Sequence, residues 1–309
     1  MPSQHEWFKV TTGDARALEV LAAGPPDGLP FLFHNGTPTA ATPWPLLFDT
    51  AAQRGLRTIT YSRPGYAASS PHPGRSVADA VPDVVAILDQ IGAGTFVTMG
   101  WSGGAPHALA CAALLPDRCL AAVSGAGVAP YPSEGLDWLA GMGEDNVTEF
   151  KLALEGEAAI RPVTLEHAEQ LATVQPREVA DALGTVASDV DRAALTGAYA
   201  EYAAEMFHRA MSSGIEGWIE DDMAFTKPWG FDLTAITVPV AVWQGGQDLM
   251  VPFAHGEWLA AHIPGAEPHL YHDEGHLSLG LVKLGDILDD LLRIAGAPLT
   301  AGRRAAGPV

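Results

Sequence analysis

Apolar, β-branched segments alternate with helix-like stretches along most of the chain. The apolar segments predict seven strands, and several are apolar almost throughout, which is typical of strands covered on both faces. They span residues 17–23, 31–34, 56–61, 95–100, 120–124, 238–243 and 267–271. The helix-like stretches span residues 45–54, 76–91, 103–115, 252–262 and 278–294. This alternation predicts an α/β fold with a mostly parallel sheet and helices on both faces.

Two features interrupt this pattern. Pro82 falls inside the predicted helix 76–91, beyond the first turn in which proline is tolerated, so the helix is alternatively expected to begin near Pro82. The alternation also stops near residue 129 and resumes near residue 231, and the residues between them indicate several helices without a strand. We therefore predict a core domain of residues 1–130 and 231–309, with a helical insertion of residues 131–230.

Composition and charge narrow the function classes. With 309 residues and 48% hydrophobic content, the chain can bury a sizeable core. Its net charge of −20 opposes the phosphate contacts on which nucleic-acid binding depends, so no nucleic-acid partner is expected. Residues 131–230 hold 19 acidic and 6 basic residues. One interpretation is that these charges lie on the solvated faces of surface helices. The other is that some of them project into a cleft and favour a cationic substrate. The candidates for a cleft are Glu201, Glu205, Glu216, Glu220, Asp221 and Asp222.

The sequence also favours a soluble protein in a reducing compartment. It has no uncharged apolar run of about 18 residues, and residues 1–10 lack the basic and apolar segments of an export signal. We expect a cytoplasmic protein without a membrane partner. Cys111 and Cys119 are expected to be buried thiols rather than a disulfide, and no metal or cofactor is implied by their spacing.

Candidate chemistry is concentrated at Gly100-Trp-Ser-Gly-Gly104, which lies between a predicted strand and a predicted helix. Ser102 stands at the apex of this sharp turn, and glycine at 100 and 104 leaves room where the strand and helix cross. This pattern predicts that Ser102 is a nucleophile. The alternative, an ordinary helix N-cap, does not require both glycines.

A serine nucleophile needs a base within hydrogen-bond reach and an acid that orients the base. Asp248 lies in a loop after the predicted strand 238–243, and His276 lies in a loop after the predicted strand 267–271. Asp273 and Asp232 are less suitable alternatives for the acid. Asp248 could instead be the N-cap of the helix that begins near residue 252.

With His34-Asn-Gly-Thr-Pro38 and Tyr61-Ser-Arg-Pro-Gly-Tyr66, these segments resemble the α/β-hydrolase fold superfamily, in which nucleophile, acid and histidine follow in this order. The resemblance implies that Ser102 is the nucleophile, His276 the general base and acid, and Asp248 the residue that fixes the imidazole tautomer. It also implies an oxyanion hole formed by the backbone N–H groups of Gly103 and Thr37. Gly36 is the alternative to Thr37, because the family's usual turn is His-Gly-x-Pro and here Asn35 stands between His34 and Gly36.

The resemblance further implies that residues 131–230 form a helical cap over the active site. Trp101 and Asn35 are predicted to contact substrate, although Trp101 could instead pack beneath the pocket. Arg63 is predicted to brace the loop after its strand.

We therefore predict a cofactor-independent serine hydrolase acting on a small or medium ester, with a small molecule as its partner and homo-oligomer formation left open. A proline iminopeptidase-like aminopeptidase is one alternative, because such enzymes bind a free amino group with cap carboxylates. A non-catalytic, ligand-binding member of the fold is another. Epoxide hydrolases and haloalkane dehalogenases share the fold but use an aspartate nucleophile, so Ser102 excludes their chemistry.

Overall fold

The computed structural model describes residues 4–297, so residues 298–309 of the predicted core domain lie outside the described residues. Eight strands form one sheet in the order β1-β2-β4-β3-β5-β6-β7-β8. β2 pairs antiparallel with β1 and β4, and the other neighbouring strands are parallel. The strands are β1 (His5–Thr11), β2 (Ala17–Ala23), β3 (Leu29–His34), β4 (Leu56–Tyr61), β5 (Phe96–Trp101), β6 (Cys119–Gly125), β7 (Val240–Gly245) and β8 (Glu267–Tyr271). The predicted α/β fold class is confirmed.

Helices cover both faces of the sheet. One face packs against α1 and α11, whose apolar residues Leu284, Ile287 and Leu291 recur at helical spacing. The other face packs against α2, α3 and α10. None of the helices within residues 4–297 has the length and apolar composition needed to cross a bilayer. Outside the segment 131–230 the helices are α1 (Pro45–Ala52), α2 (Ala80–Gln90), α3 (Ala105–Leu114), α10 (Phe253–His262) and α11 (His276–Ile294).

The structure differs from the predicted elements at three places. β1 was not predicted, because most of its side chains are exposed and Val10 is its single buried one. The segment 76–91 begins with a 3-10 turn, Val77–Asp79, and α2 follows it, so Pro82 falls within the first turn of α2, where no intrahelical bond needs its N–H. His276 is the first residue of α11 rather than part of the preceding loop.

Residues 131–230, which lie between β6 and β7, are called the helical insert below. All of it is described, and it contains six α-helices and no strand. Many of its apolar side chains form a separate cluster, which Ala40 and Tyr66 of the core join. Others, among them Trp138, Phe150 and Phe225, belong to the cluster on one face of the sheet. The helices are α4 (Glu144–Glu155), α5 (Glu157–Leu171), α6 (Val179–Ala182), α7 (Asp189–Ala194), α8 (Gly197–Met211) and α9 (Glu216–Phe225).

Candidate active site

The turn between β5 and α3 holds Ser102 in a strained conformation. Its φ of 55° lies in the left-handed region, which a non-glycine residue occupies only when its surroundings fix it. A Cβ atom at Gly100 would lie 2.2 Å from the carbonyl oxygen of Gly104, and one at Gly104 would lie 2.1 Å from that of His34. Glycine is therefore required at both positions for β5, the turn and α3 to pack this closely.

His276 and Asp248 form a buried pair beside this turn. The Nδ1 atom of His276 lies 2.7 Å from Oδ2 of Asp248, and both residues are almost fully inaccessible to solvent. Asp248 also accepts hydrogen bonds from the backbone N–H groups of Met250 (2.9 Å) and Val251 (2.8 Å), and from the Gln244 amide (2.9 Å). Because Nδ1 is occupied, Nε2 is the nitrogen left for a substrate or a nucleophile.

The charges of this pair depend on each other. Burial by itself would lower the pKa of His276, but the charge of Asp248 and its hydrogen bond, together with the charge of Asp191, raise that pKa above its ordinary value. Burial raises the pKa of Asp248, and the His276 interaction opposes this rise. The arrangement therefore stabilises the protonated imidazole, which is the form that a general base reaches when it has accepted a proton.

The alternative acids do not reach His276. Asp273 is exposed, and Asp232 accepts the Thr234 N–H (2.8 Å) at the start of a 3-10 turn. Within residues 4–297, no hydrogen bond joins either carboxylate to His276. Asp248 is also not the N-cap of α10, since Pro252 occupies that position.

The loop after β3 lies directly against the serine turn. A Cβ atom at Gly36 would lie 3.2 Å from Cβ of Ser102, and one at Gly103 would lie 2.5 Å from Oγ1 of Thr37. The N–H-bearing segments of Gly36, Thr37 and Gly103 are thus adjacent to the Ser102 side chain, which is the juxtaposition that an oxyanion hole needs.

Arg63 braces this loop, whereas the sequence predicted that it braces the loop after its own strand, β4. Its guanidinium donates to the carbonyl oxygens of Asn35 and Gly36 (2.7 Å for Gly36) and to Oγ1 of Thr37 (3.0 Å). The Asn35 amide donates to Oγ1 of Thr60 (2.6 Å), and Asn35 also lines the cavity described below, so its contact with substrate stays a prediction.

Asp221 of the helical insert joins the same network. It pairs with Arg63 and Arg75 and accepts hydrogen bonds from the hydroxyls of Thr37 (2.6 Å) and Tyr66 (3.0 Å). Burial would raise the pKa of Asp221, but the charges of the two arginines hold it well below its usual range. The interpretation that Asp221 projects into a cleft is therefore wrong, because its carboxylate fixes the insert to the core.

We expect Asp221→Asn to lower the free energy of unfolding by about 3–5 kcal/mol, because it leaves two buried guanidinium groups without their counter-charge. Urea unfolding followed by circular dichroism measures the change. The matched control is Glu216→Gln, because Glu216 lies on the same helix as Asp221 and forms an exposed ion pair with Arg161 of α5. This variant should lower the free energy of unfolding by less than about 1 kcal/mol. Equal effects of the two variants would contradict the role given to Asp221.

A cavity of about 430 Å³ opens in front of Ser102 and His276. Trp101 both lines it and packs beneath it, since its ring lies edge-on to His276 at a centroid distance of 6.4 Å and against Gly280. Most of the remaining wall is apolar and comes from the helical insert. The large apolar side chains that the insert contributes are Phe150, Leu171, Leu183, Leu195, Tyr199, Tyr202, Met206, Phe207, Trp218 and Phe225.

Five carboxyl groups interrupt this apolar wall, and two of them, Asp222 and Glu149, are buried. The other three are Asp145, Glu166 and Asp181. Asp222 is one of the predicted candidates, and Glu149, which was not predicted, lies beside it. Burial raises the pKa of Glu149, and burial together with the Glu149 charge raises the pKa of Asp222 well above its usual range. The Trp218 indole N–H donates to Glu149 (2.6 Å). The other predicted candidates in the insert do not line the cavity: Glu201, Glu205, Glu216 and Glu220.

The position of Glu149 carries a signal in the sequence. Asn146, Glu149, Phe150 and Ala153 follow helical spacing, and Glu149, Phe150 and Ala153 are the buried residues of α4. A charged residue on the apolar stripe of a helix is a candidate for a functional side chain.

One set of side chains in the described chain has the spacing of a metal site: Glu267, His269 and Asp290. It lies on β8 and α11, and none of its members lines the cavity. Arg293 already donates to both carboxylates, so a cation there would compete with a guanidinium. Cys111 and Cys119 are buried and free, as predicted.

Comparison with known proteins gives consistent results. The sequence profile of the alpha/beta hydrolase fold matches residues 30–281. The uncharacterized hydrolase YcgS of Bacillus subtilis is 28% identical over 237 residues, which cover 74% of this chain and 78% of that protein. Epoxide hydrolase B of Mycobacterium tuberculosis is 32% identical over 150 residues, which cover 46% of this chain and 42% of that protein.

Among solved structures, the enol-lactonase of Burkholderia xenovorans superposes with a TM-score of 0.67. The two are 18% identical, and the match covers 94% of this chain and 100% of that one. At this identity the likeness concerns the fold alone.

Proposed function

Because the chain belongs to the alpha/beta hydrolase fold family, we propose that it is a serine hydrolase that cleaves a small or medium ester through an acyl-enzyme on Ser102. The observation that carries the proposal is the buried His276–Asp248 pair, since His276 lines the same cavity as Ser102. A structural histidine has no need of an oriented carboxylate and a strained serine beside it.

In the proposed reaction, His276 accepts the Ser102 hydroxyl proton while Oγ attacks the carbonyl carbon. The developing oxyanion is stabilised by the backbone N–H of Gly103 and by one from the loop holding Gly36 and Thr37. His276 then gives the proton to the leaving alcohol as the C–O bond breaks. Water, deprotonated by His276, hydrolyses the Ser102 ester and restores both residues.

The cavity supports a substrate of limited size. Its volume of about 430 Å³ lies within the usual range of small-molecule sites, about 300–1,000 Å³. Apolar side chains of the insert, such as Phe207 and Phe225, form most of its wall and suit an apolar acyl or alcohol group.

Turnover of a panel of p-nitrophenyl esters tests this proposal directly. We expect hydrolysis of short and medium acyl chains and a loss of activity once the acyl chain exceeds the length of the cavity. Folded protein that hydrolyses none of these esters, and none of the corresponding thioesters or lactones, would contradict the proposal.

A second candidate, an aminopeptidase, is favoured by one observation. Glu149 and Asp222 form a buried acidic pair in a mostly apolar wall, and Phe225, one turn after Asp222 on α9, lies near Gly103. A substrate whose ammonium group lies close to its scissile carbonyl would place that charge beside the carboxyl pair.

The two candidates differ in their response to a free amino group. If the second is correct, alanine and proline p-nitroanilides are cleaved, their N-acetyl derivatives are not, and Glu149→Gln raises KM for the free amines by at least about tenfold. Glu201→Gln, an exposed position on the same insert, is the control and should leave KM unchanged. Equal cleavage of free and acetylated substrates would exclude the aminopeptidase.

A further inference from the structure

We propose that Asp191, in helix α7 of the helical insert, is a positioning residue for His276. Its carboxylate accepts the backbone N–H of His276 (3.0 Å), Leu277 (2.7 Å) and Ser278 (3.0 Å). The inference rests on the proposed function, because it concerns the residue assigned as the base. It makes the seating of the insert on the core a condition for activation of Ser102.

The N-cap residue of α11 supplies no side chain that could accept the first N–H groups of the helix, and Ser278 of the first turn accepts only the Gly275 N–H (2.8 Å). The first N–H groups of a helix lack acceptors within the helix and are usually satisfied by a nearby Ser, Thr, Asp or Asn. Here the N-cap residue is Gly275, which has no side chain, and the missing acceptor comes from Asp191, 85 residues away along the chain. The insert thus completes a helix that belongs to the core.

The contact is tightly built. Asp191 is completely buried, and the hydroxyl of Ser188 donates a fourth hydrogen bond to it (2.8 Å). A buried carboxylate is stable only with such compensation, and its negative charge also suits the positive end of the helix dipole. A Cβ atom at Gly275 would lie 2.5 Å from both carboxylate oxygens, so glycine at 275 is what allows Asp191 to approach α11.

Two carboxylates therefore fix one histidine from opposite domains. Asp191 holds the main chain of His276, and Asp248 holds its ring. Because a displacement of about 1 Å in a reacting group can cost about 100-fold in rate, the main-chain anchor bears directly on the proton transfer from Ser102. Helix capping alone would stabilise α11 without this consequence.

The electrostatic surroundings of His276 give a readout that distinguishes positioning from capping. Two carboxylates face it, Asp248 from the loop after β7 and Asp191 from α7. Glu274 lies nearby, where it accepts the Ser278 hydroxyl (2.7 Å). The Trp101 ring and the Ser102 hydroxyl are the neutral neighbours on the cavity side. Removing the charge of Asp191 should lower the pKa of His276, since that charge contributes to its elevation.

The test uses Asp191→Asn, which retains the side-chain size and one acceptor oxygen. The rate of reaction of Ser102 with a fluorophosphonate is measured by intact mass as a function of pH. We expect the rate at the optimum to fall by about 10- to 100-fold. The pH midpoint of the reaction should move down by up to about one pH unit. Asp189→Asn removes the same charge from an exposed site on the same helix and should change neither quantity.

A second variant addresses the contact from its other side. Gly275→Ala places a methyl group where the Asp191 carboxylate lies and should produce a similar loss of labelling without altering any charge. If Asp191→Asn does not fold, this variant decides the question. Wild-type labelling rates and midpoints in both variants would overturn the inference.

A measurement that needs no reaction separates this inference from the proposed function. The low-field proton NMR signal of the His276 Nδ1–H, assigned by its loss in Asp248→Asn, reports the titration of the imidazole. If the wild type is not labelled at Ser102, the proposed function fails. The downward shift of this titration in Asp191→Asn then still supports the role of Asp191, and an unchanged titration overturns it.

Discussion

Ser102→Ala is expected to lower kcat for ester hydrolysis by at least about 10⁴-fold, because it removes the hydroxyl on which the proposed acyl-enzyme forms. Its φ of 55° presents the side chain at the apex of the turn, and alanine keeps that geometry without the hydroxyl. The measurement combines steady-state hydrolysis of a p-nitrophenyl ester with intact mass after exposure to a fluorophosphonate. A single adduct in the wild type, located on the Ser102 peptide and absent in the variant, is the expected result.

The control is Ser124→Ala, which removes another buried hydroxyl, from β6, outside the proposed machinery. It should leave both activity and labelling near the wild-type level. Ester turnover that survives Ser102→Ala would show that the nucleophile is elsewhere. Absence of both turnover and labelling in folded wild-type protein would support the non-catalytic, ligand-binding member of the fold.

Asp248→Asn is expected to have the second-largest effect, a fall of about 10⁴-fold in kcat. Asparagine is close to aspartate in size, but its amide cannot supply the charge that stabilises the imidazolium and selects the tautomer with hydrogen on Nδ1. Since Asp248 also accepts the N–H groups of Met250 and Val251, circular dichroism should establish that the variant is folded. Steady-state hydrolysis measures the loss.

Asp273→Asn and Asp232→Asn are the matched controls, because both were candidates for the acid and neither contacts His276. Each should retain kcat within about twofold, as is usual for surface substitutions. A large loss in either of them, with activity retained in Asp248→Asn, would reassign the acid.

The order of the chemical groups could be predicted from sequence because each follows a strongly patterned strand. The alternation of apolar and helix-like segments located seven of the eight strands, and parallel strands bring their carboxyl ends to one edge of the sheet. Ser102, Asp248 and His276 were therefore predictable as a group before any distance was known.

The start of α11 was not predictable for a definite reason. Local sequence gives no capping residue at 275, so the pattern placed the helix start at residue 278 and left His276 in a loop. The carboxylate that accepts the His276 N–H belongs to Asp191, 85 residues earlier in the chain. The residues near 276 therefore carry no signal of this contact. Tertiary capping is outside the reach of local signals.

The acidic residues of the insert show a second limit. Asp221 and Asp222 are neighbours in sequence and point about 100° apart on α9, so one meets Arg63 and Arg75 while the other lines the cavity. Which carboxylate faces which environment depends on arginines about 150 positions earlier. Composition could predict an acidic insert, but not the assignment of each charge.

The division of the cavity wall has a consequence for engineering this enzyme. The proposed reacting groups belong to the core, and most of the cavity wall comes from residues 131–230. A chimera carrying a related protein's insert would therefore appear to be a simple route to new specificity. Two carboxylates set a condition on any such graft, because Asp191 completes α11 and Asp221 neutralises Arg63 and Arg75. A transplanted insert that lacks them would supply a new pocket but would leave His276, the proposed base, without its main-chain anchor.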